Sequence, residues 1–348
     1  MLISKLKAVA VALVFGGMTT AADASDTLFQ QFVGDYGVAT AGWGNFPGDS
    51  GTISVAVPVG STVTGAWLYS STYNANSGPS PPIDPSLIGG TLGGTTVNFN
   101  TSLGADPTAC CGLEAFRADV TSIVAPTING GPGGTYNFSI SETNTLNQDG
   151  EALVIVYTNP ANPTQTVGIL NGTASSTGDT TSITFAKPLD PSAPGFFANM
   201  AIGDGFSCCE QESEIDVNGS AMTTVAGNDD SCVGSAANGC LITVGNINGP
   251  YTGGTPGSPQ TDYDADHEAY DLSPFITTGD TSIAINTKNL SLDDNIFLQV
   301  FDVSGSANIV PPGTPEPSTW VMILIGFGSL AFVSHRASKN RRAISAAV

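Results

Sequence analysis

Short segments in which apolar and polar residues alternate recur along most of the chain. Side chains of a β-strand point alternately to the two faces of a sheet, so such segments predict half-buried strands. The alternation is clearest in four segments: 52–57, 135–140, 181–185 and 282–286. Further core strands are predicted at 63–69, 152–157 and 296–301. The segment 152–157 is apolar throughout, which is typical of a strand buried on both faces.

Turn signals separate these segments. Asn and Gly tolerate the positive φ angles of tight hairpins, and Asn-Gly or Asp-Gly pairs occur at 129–130, 149–150, 171–172, 218–219, 238–239 and 248–249. Between the two chain ends no stretch has a sustained helical period, and only 117–124 suggests a helical turn. The sequence therefore predicts an all-β body at residues 25–305, folded as an antiparallel β-sandwich of the jelly-roll or Ig-like type. The Gly- and Pro-rich segment 250–259 is interpreted as a loop of this body, because the residues after it can complete the same sandwich.

The first 24 residues have the three parts of a secretory signal peptide. Lys5 and Lys7 supply positive charge, residues 8–17 are apolar, and Ala22-Asp23-Ala24 places small residues before a cleavage point. We therefore predict a cleavable signal peptide at 1–24 and a mature chain that starts at Ser25. The alternative is an uncleaved N-terminal anchor, which the short apolar core and the good cleavage site disfavour.

The C-terminal end combines three features in order. A linker at 306–318 contains Pro315, Glu316 and Pro317, an apolar segment follows at 319–335, and 336–348 is a basic tail. The apolar segment predicts a single hydrophobic transmembrane helix, although it is short against the roughly twenty residues that cross a bilayer. Trp320 and the terminal arginines would anchor it at the two interfaces, and the positive-inside rule leaves the basic tail in the cytoplasm.

The Pro-Glu-Pro sequence, the apolar run and the terminal arginines together resemble PEP-CTERM, a C-terminal sorting signal of exopolysaccharide-producing Gram-negative bacteria. The resemblance implies a transient partner, an exosortase, which is a membrane transpeptidase that cuts near the Pro-Glu-Pro sequence. It also implies export, with a precursor anchored in the inner membrane through the C-terminal segment and a mature form at the cell surface or outside the cell. The alternative is an ordinary single-span anchor. The β-rich body is only loosely similar to ectodomains of bacterial surface proteins.

The body between the two ends is strongly acidic. The chain has 30 acidic and 9 basic residues, and two of the acids and six of the bases lie in the end segments. The body therefore carries 28 acids against three bases, Arg117, Lys187 and Lys288, which gives a formal charge of −25. Phosphate backbones are repelled by such a surface, which argues against nucleic acid as a partner. Divalent cations and cationic matrix components fit the charge instead.

All six cysteines lie in the body, at Cys110, Cys111, Cys208, Cys209, Cys232 and Cys240. In an oxidising compartment an even number of cysteines predicts disulfides. Adjacent cysteines rarely bond each other, because the geometry strains the peptide between them. We therefore expect the pair at 110–111 to bond across to the pair at 208–209, and Cys232 to bond Cys240, among fifteen possible pairings. A zinc site is disfavoured because the Cys-x-x-Cys spacing is absent.

A second candidate site is an acidic loop. Asp262, Asp264, Asp266 and Glu268 are spaced by two, and carboxylates with this spacing on a loop can converge on a calcium ion. The loop is not an EF-hand, because His267 and Ser273 stand where Gly and Glu are required. The calcium site is a hypothesis, and its alternative is a solvated acidic loop.

Two enzymatic patterns are present only in part. Residues 48–51, Gly-Asp-Ser-Gly, look like the nucleophile loop of trypsin-like proteases, but such enzymes place a histidine ahead of the serine and the body has only His267, far behind it. We interpret this segment as a turn before a strand. Glycoside hydrolysis needs two carboxylates at a set separation, and no local pattern singles out such a pair. The aromatic residues that could stack on sugars are more simply explained as core residues; they are Trp43, Trp67, Tyr69 and Tyr73.

The leading functional hypothesis is a non-catalytic exported surface or extracellular-matrix protein, associated with exopolysaccharide or biofilm. The first alternative is a secreted carbohydrate-binding or carbohydrate-active protein. The second alternative is an ice-binding protein, which the irregular spacing of the threonines disfavours.

Overall fold

The computed structural model describes residues 26–44, 50–72, 88–105, 113–143, 148–175, 177–205, 213–226, 242–244, 247, 263, 268–290 and 295–312. These residues form strands, one α-helix and one short 3₁₀ turn at Ser273–Phe275. The helix is α1 (Thr121–Ile128). The strands are β1 (Thr27–Gly34), β2 (Tyr36–Trp43), β3 (Ser50–Val57), β4 (Thr62–Thr72), β5 (Gly89–Leu92), β6 (Thr95–Asn98), β7 (Thr101–Ala105), β8 (Glu114–Asp119), β9 (Gly134–Glu142), β10 (Gln148–Thr158), β11 (Gln165–Asn171), β12 (Asp179–Phe185), β13 (Ala198–Gly205), β14 (Ser213–Val217), β15 (Ser220–Ala226), β16 (Ile242–Val244), β17 (Ala269–Asp271), β18 (Ser282–Asn289), β19 (Asn295–Ser304) and β20 (Ala307–Val310).

The strands form four antiparallel sheets, which we number in the order of their stacking. Sheet I has the strand order β3-β9-β5-β6, and sheet II has the order β2-β10-β4-β8-β7. Sheet III has the order β1-β11-β19-β13-β16, with β17 also paired to β13, and sheet IV has the order β15-β14-β18-β12-β20. The prediction of an all-β, antiparallel body is therefore confirmed. The difference is in the number of layers, because a single sandwich has two sheets and the described residues of this body form four.

Three apolar layers join the four sheets. The first lies between sheets I and II and contains Trp43, Ile53, Phe138 and Leu153. The second lies between sheets II and III and contains Trp67, Tyr69, Val154 and Phe297. The third lies between sheets III and IV and is formed by these residues among others: Leu170, Ile183, Ile215, Ile285 and Phe301. Sheets I and II form sandwich 1, sheets III and IV form sandwich 2, and the two sandwiches pack back to back.

Stacking buries the central strands on both faces. In β10, every residue of Ala152–Val156 is fully buried, because alternate side chains enter the first and second apolar layers. In sheet III, β11 and most of β19 are likewise buried on both faces, between the second and third apolar layers. This confirms the prediction that 152–157 is a strand buried on both faces.

The chain enters sandwich 2, leaves it and returns. Strand β1 pairs with β11 in sheet III, β2 to β10 build sandwich 1, and β11 to β20 complete sandwich 2. Strands β18 and β19, which follow the segment 250–259, take central places in sheets IV and III. The residues after that segment therefore complete a sheet pair that earlier strands began, as the sequence predicted.

Two of the turns predicted from Asn-Gly or Asp-Gly pairs can be compared with the structure. Asn218 and Gly219 have φ angles of 52° and 75° and connect β14 to β15, which confirms a tight hairpin turn. The turn predicted at 149–150 is wrong. These residues lie inside β10, where the pairing with β4 shifts register between Gln148 and Glu151 and Gly150 has a φ of 90°. An extra residue in the strand, a β-bulge, uses the positive φ that a turn would also use.

The helix α1 closes one end of sandwich 1. It begins at Thr121, later than the predicted helical turn at 117–124, because 117–119 still belong to β8. Val124 and Ile128 enter the first apolar layer. The amide of Val63 at the start of β4 donates a hydrogen bond of 2.8 Å to Oδ1 of Asn129, just after the helix. The opposite end of sandwich 1 has no such apolar closure among the described residues.

Candidate functional site

The end of sandwich 1 opposite α1 contains buried polar groups. Glu151 stands directly opposite Trp43 of β2 and Ser70 of β4, so its side chain points into the first apolar layer. Glu142 continues the inward parity of Phe138 and Ile140 on β9, so it points into the same space from sheet I. The two carboxyl groups therefore face each other across the interior of the sandwich.

The Glu151 side chain is fully buried and only half satisfied. Nε2 of Gln148 donates a hydrogen bond of 2.8 Å to Oε1 of Glu151, while Oε2 of Glu151 has no hydrogen-bond partner among the described residues. Burial raises the pKa of Glu151 well above its usual value, the neighbouring Glu142 carboxylate raises it further, and the Gln148 hydrogen bond opposes both. A charged Glu151 in this place needs a nearby positive charge.

Trp43 brings a donor to the same region. Its side chain is 1% exposed, and its indole Nε1 has no acceptor among the described residues. The indole reaches across to β3, where a Cβ added at Gly51 would collide with Nε1 and its neighbouring carbons. Gly51 is therefore required for the close approach of the Trp43 ring, which gives a packing role to a residue that the sequence had placed in a protease-like pattern.

None of the three basic residues of the body faces this pair. The Arg117 guanidinium carbon lies 3.4 Å from the centroid of the Phe29 ring, on the face of sheet II that packs towards sheet III. Lys288 of sheet IV forms a 3.4 Å ion pair with Glu214. Lys187 is exposed at the edge of sandwich 2. These contacts of the three basic residues therefore lie away from Glu151.

Sandwich 2 buries a different carboxyl group. Asp26, immediately before β1, is fully buried and accepts a hydrogen bond from Nε2 of Gln299 on β19. The same Nε2 lies 3.4 Å from Oγ1 of Thr287 on β18. Burial raises the pKa of Asp26 from 3.8 to about 7, the Gln299 hydrogen bond lowers it, and the charge of Asp179 raises it. Near pH 7 this single carboxyl group can be accommodated as the neutral acid.

One of the four predicted calcium ligands is among the described residues. Glu268 has a positive φ of 42° and is 1% exposed, so this end of the acidic loop is buried rather than solvated. Its backbone carbonyl accepts a hydrogen bond of 3.0 Å from the amide of Ile202. Asp262, Asp264 and Asp266 lie outside the described residues. Within the part of the chain that the structure describes, no group of three or more His, Cys, Asp or Glu side chains is arranged to hold a metal ion.

All six cysteines lie outside the described residues, but the strand ends on either side of two cysteine pairs are described. Leu113 follows Cys110 and Cys111, and Gly205 precedes Cys208 and Cys209. A methyl carbon of Leu113 lies 3.3 Å from the place where a Cβ on Gly205 would stand. The chain segments that carry the two cysteine pairs thus leave sheets II and III from neighbouring points.

The aromatic residues that could have stacked on sugars are core residues where they are described. Trp43, Trp67 and Tyr69 are all at least 94% buried, in the first and second apolar layers. Tyr73 lies outside the described residues, as do 48 and 49 of the protease-like pattern. Ser50 and Gly51 begin β3, as expected for a turn that precedes a strand.

An open groove of about 490 Å³ runs along the edge of sandwich 2. Its lining includes Phe196, Lys187 and Asp190. Side-chain and backbone hydrogen bonds from Ser192 lower the pKa of the exposed Asp190 carboxyl. The groove therefore presents an aromatic ring beside one positive and one negative group.

Sequence reasoning missed the buried acids Glu151 and Asp26 and the half-buried Glu142. For Glu142 a signal existed, because the alternation of Tyr136 to Ile140 extends to residue 142 and predicts an inward side chain. For Asp26 there was no such signal, because its burial depends on β19, which lies more than 250 residues further along the chain.

The predicted signal peptide, linker, transmembrane segment and basic tail lie outside the described residues, with the exception of linker residues 306–312. Among the residues that are described, no helix is long and apolar enough to cross a membrane. Comparison with curated proteins gives no match for the chain. Comparison with family models matches residues 314–337 to the PEP-CTERM protein-sorting motif. The chain therefore carries the PEP-CTERM motif that its tail resembles, and it is an exported protein that an exosortase recognises and that the membrane anchors transiently.

Proposed function

We propose that this protein is a non-catalytic surface or extracellular-matrix protein, delivered by exosortase sorting and associated with exopolysaccharide. The observation that carries the proposal is the sorting motif at 314–337, behind a large all-β body. The body's formal charge of −25 supports a role in a hydrated polyanionic matrix, in which divalent cations bridge acidic groups. The burial of Trp43, Trp67 and Tyr69 in structural layers supports a scaffold role for these side chains.

Mass spectrometry of the native protein from envelope and culture medium tests the sorting part of the proposal. We expect a mature chain that begins at Ser25, ends near Pro315-Glu316-Pro317 and is present at the surface or in the medium. A matched variant with Glu316→Ala should accumulate as an uncut precursor in the inner membrane. Full-length precursor in the wild type, with no cut near the motif, would contradict the proposal.

Calcium at the acidic loop is part of this proposal. Asp262, Asp264, Asp266 and Glu268 would supply carboxylate oxygens, the ligand type that calcium prefers. We expect millimolar calcium to raise the melting temperature, a chelator to reverse the rise, and Asp264→Asn to reduce it. A melting curve that calcium leaves unchanged would remove the calcium site from the proposal.

A secreted carbohydrate-binding or carbohydrate-active protein is the second candidate. The groove of sandwich 2 favours it, because an aromatic ring beside charged groups is a common arrangement for sugar contact. Polysaccharide pull-down with Phe196→Ala as the groove variant tests binding, and a glycan hydrolysis screen tests catalysis. Hydrolysis of any glycan would replace the leading proposal, whereas binding that is lost in Phe196→Ala would add a glycan site to it. The ice-binding alternative is tested by thermal hysteresis.

A further inference from the structure

Three buried polar side chains meet between the two sheets of sandwich 2. Gln299 shares the inner face of β19 with Phe301 and Val303, and it faces Thr287 on the inner face of β18. Nε2 of Gln299 donates a hydrogen bond to Oδ2 of Asp26 and lies 3.4 Å from Oγ1 of Thr287. Asp26 and Gln299 are 0% exposed and Thr287 is 1% exposed, so bulk water is excluded from the place where they meet.

This contact leaves two polar atoms unsatisfied. Oε1 of Gln299 and Oδ1 of Asp26 are buried and have no hydrogen-bond partner among the described residues. A buried polar atom without a partner costs free energy, so a network kept only for stability is expected to satisfy both atoms. The three side chains do contain the groups that an acyl transfer needs. These are a hydroxyl nucleophile, a carboxamide with a leaving nitrogen, and a carboxyl group in contact with that nitrogen.

The nucleophile in this place is a hydroxyl group rather than an amine. Lys288 follows Thr287 directly, but alternation along β18 turns its side chain to the outer face, where Nζ pairs with Glu214 at 3.4 Å. The Thr287 hydroxyl lies beside the Gln299 amide, and Cδ of Gln299 is bonded to the contacted nitrogen. A small rotation of the amide therefore brings Cδ to roughly 3–3.5 Å from the hydroxyl oxygen, the distance from which such a reaction starts.

We propose that Thr287 and Gln299 form an ester bond between sheets IV and III, in a reaction that Asp26 assists. Oγ1 of Thr287 attacks Cδ of Gln299, the bond from Cδ to Nε2 breaks, and the nitrogen leaves as ammonia. The hydroxyl proton passes to the Asp26 carboxylate and from it to the leaving nitrogen, so the reaction needs no further reactant. Burial raises the pKa of Asp26 to about 7, and a carboxyl group with this pKa can both accept and return a proton near neutral pH.

The position of the bond suits a lasting cross-link. The exclusion of water protects the ester from hydrolysis, and ammonia that escapes into the medium is diluted and does not reverse the reaction. Strand β20 and the rest of the linker to the sorting motif follow β19. The ester therefore fastens the part of sheet III that is closest in sequence to the C-terminal end to the opposite sheet. It does not depend on the sorting or on the matrix association of the protein.

The test is peptide mapping of the full chain by mass spectrometry, after reduction and alkylation of the cysteines. Trypsin cuts after Lys288, which lies between Thr287 and Gln299 in the sequence, so the two flanking peptides stay joined only if they are cross-linked. We expect joined peptides whose mass is lower by one ammonia molecule than the sum of the mass of each peptide. Mild alkali should separate them, because it hydrolyses esters and leaves amides intact, and it should convert Gln299 to glutamate.

Variants test the role of each group. Thr287→Val keeps the shape of the side chain without its hydroxyl, so its two peptides should separate. Asp26→Asn should slow the appearance of joined peptides after folding by about a hundredfold. The matched control is Thr181→Val, at another buried threonine of sheet IV, and it should keep the joined peptides. Because the bond itself stabilises the fold, Thr287→Val is the background in which the effect of Asp26 ionisation on stability is measured.

The wild-type protein alone can overturn the proposal, so the test does not require any variant to fold. Two separate peptides after digestion of the wild type would show that the three side chains form only a hydrogen-bonded network. Joined peptides that mild alkali leaves intact, or that persist in Thr287→Val, would show a different linkage. Joined peptides that appear in Asp26→Asn at the wild-type rate would overturn the role of Asp26.

Discussion

In sandwich 1 the carboxyl groups of Glu142 and Glu151 face each other across the interior, whereas in sandwich 2 the buried carboxyl group of Asp26 lies beside Gln299. Glu151 and Asp26 each accept a hydrogen bond from a glutamine side-chain amide. A lone buried carboxyl group can become neutral by keeping its proton at moderate pH. Two facing groups can share a proton, because the negative charge of one carboxylate raises the pKa of the other. The comparison indicates that a second acid beside a buried carboxyl group raises its pKa beyond the effect of burial alone.

Removing the expected disulfides between the two sandwiches should have the largest effect on the free energy of unfolding. We expect disulfides between the pairs Cys110–Cys111 and Cys208–Cys209, since the contact between Leu113 and Gly205 brings the flanking strand ends together. A bridge across a loop of about 100 residues stabilises by about 4.5 kcal/mol, against about 2.5 kcal/mol for the short loop expected from Cys232 to Cys240. Replacing the first two cysteines by serine should therefore lower the free energy of unfolding more than Cys232→Ser with Cys240→Ser. Peptide mapping that finds free thiols at 110 and 111 would refute the connection.

The shared apolar layer is tested by Phe297→Ala. The Phe297 ring is fully buried between sheets II and III, with its centroid 6.4 Å from that of Tyr69. Its removal should lower the free energy of unfolding by about 4 kcal/mol, because a large cavity opens between the sandwiches. Phe138→Ala, within the first layer, is the matched control. Urea denaturation followed by circular dichroism should show separate transitions for the two sandwiches only in Phe297→Ala, and a wild-type midpoint for that variant would contradict the packing of Phe297 in the second apolar layer.

The buried acid of sandwich 2 should make stability depend on pH. The pKa of Asp26 is raised from 3.8 to about 7, so the folded protein holds a proton that the unfolded chain releases. Stability from this group is therefore complete below about pH 4 and is lost as the pH rises to about 7. Asp26→Asn should raise the free energy of unfolding at pH 8 by about 3 kcal/mol and change it little at pH 4. The protein used for this measurement should keep a neutral N-terminal extension before Asp26. Without it, the positively charged α-ammonium group of the chain end would lie beside Asp26.

The control for this prediction is the exposed Asp190 on the same sandwich. Asp190→Asn should give no comparable gain at pH 8, because that carboxyl group is solvated and its pKa is lowered. An Asp26→Asn variant with wild-type stability at both pH values would show that the ionised Asp26 carboxylate does not destabilise the folded protein.

A smaller loss of stability is expected when alanine replaces a glycine that packs against a neighbouring side chain, and its size should differ between the two sandwiches. A Cβ at Gly51 collides with the rigid indole of Trp43, whereas a Cβ at Gly168 of β11 meets the flexible tip of Ile309. Gly51→Ala should therefore lower the free energy of unfolding by about 2 kcal/mol, and Gly168→Ala by less. Gly89→Ala, where the nearest atoms are 3.4 Å or more away, serves as the control in thermal unfolding. Equal losses for Gly51→Ala and Gly89→Ala would argue against the Trp43 placement.

The alternation of apolar and polar residues predicted many of the strands, but it predicted little of the candidate site around Glu142 and Glu151. The segments 52–57, 135–140, 181–185 and 282–286 all lie in strands, because alternation is a property of consecutive residues. The error at 149–150 arose because a bulge and a turn place the same demand on glycine. In the sequence, Glu151 is only the residue before the apolar strand predicted at 152–157. Its significance depends on Glu142, which belongs to the opposite sheet, and on the positions of the three basic residues.

The sequence by itself determined the antiparallel β class, the acidic charge and the sorting motif, since each depends on composition or on residues adjacent in the chain. The tertiary structure decided that four sheets stack as two sandwiches, that β1 joins strands more than 130 residues away, and that two acids meet in one interior. The physical reason is that alternation specifies which side chains share a face of a strand. It does not specify which partner covers that face, because backbone hydrogen bonds are the same for every pair of strands.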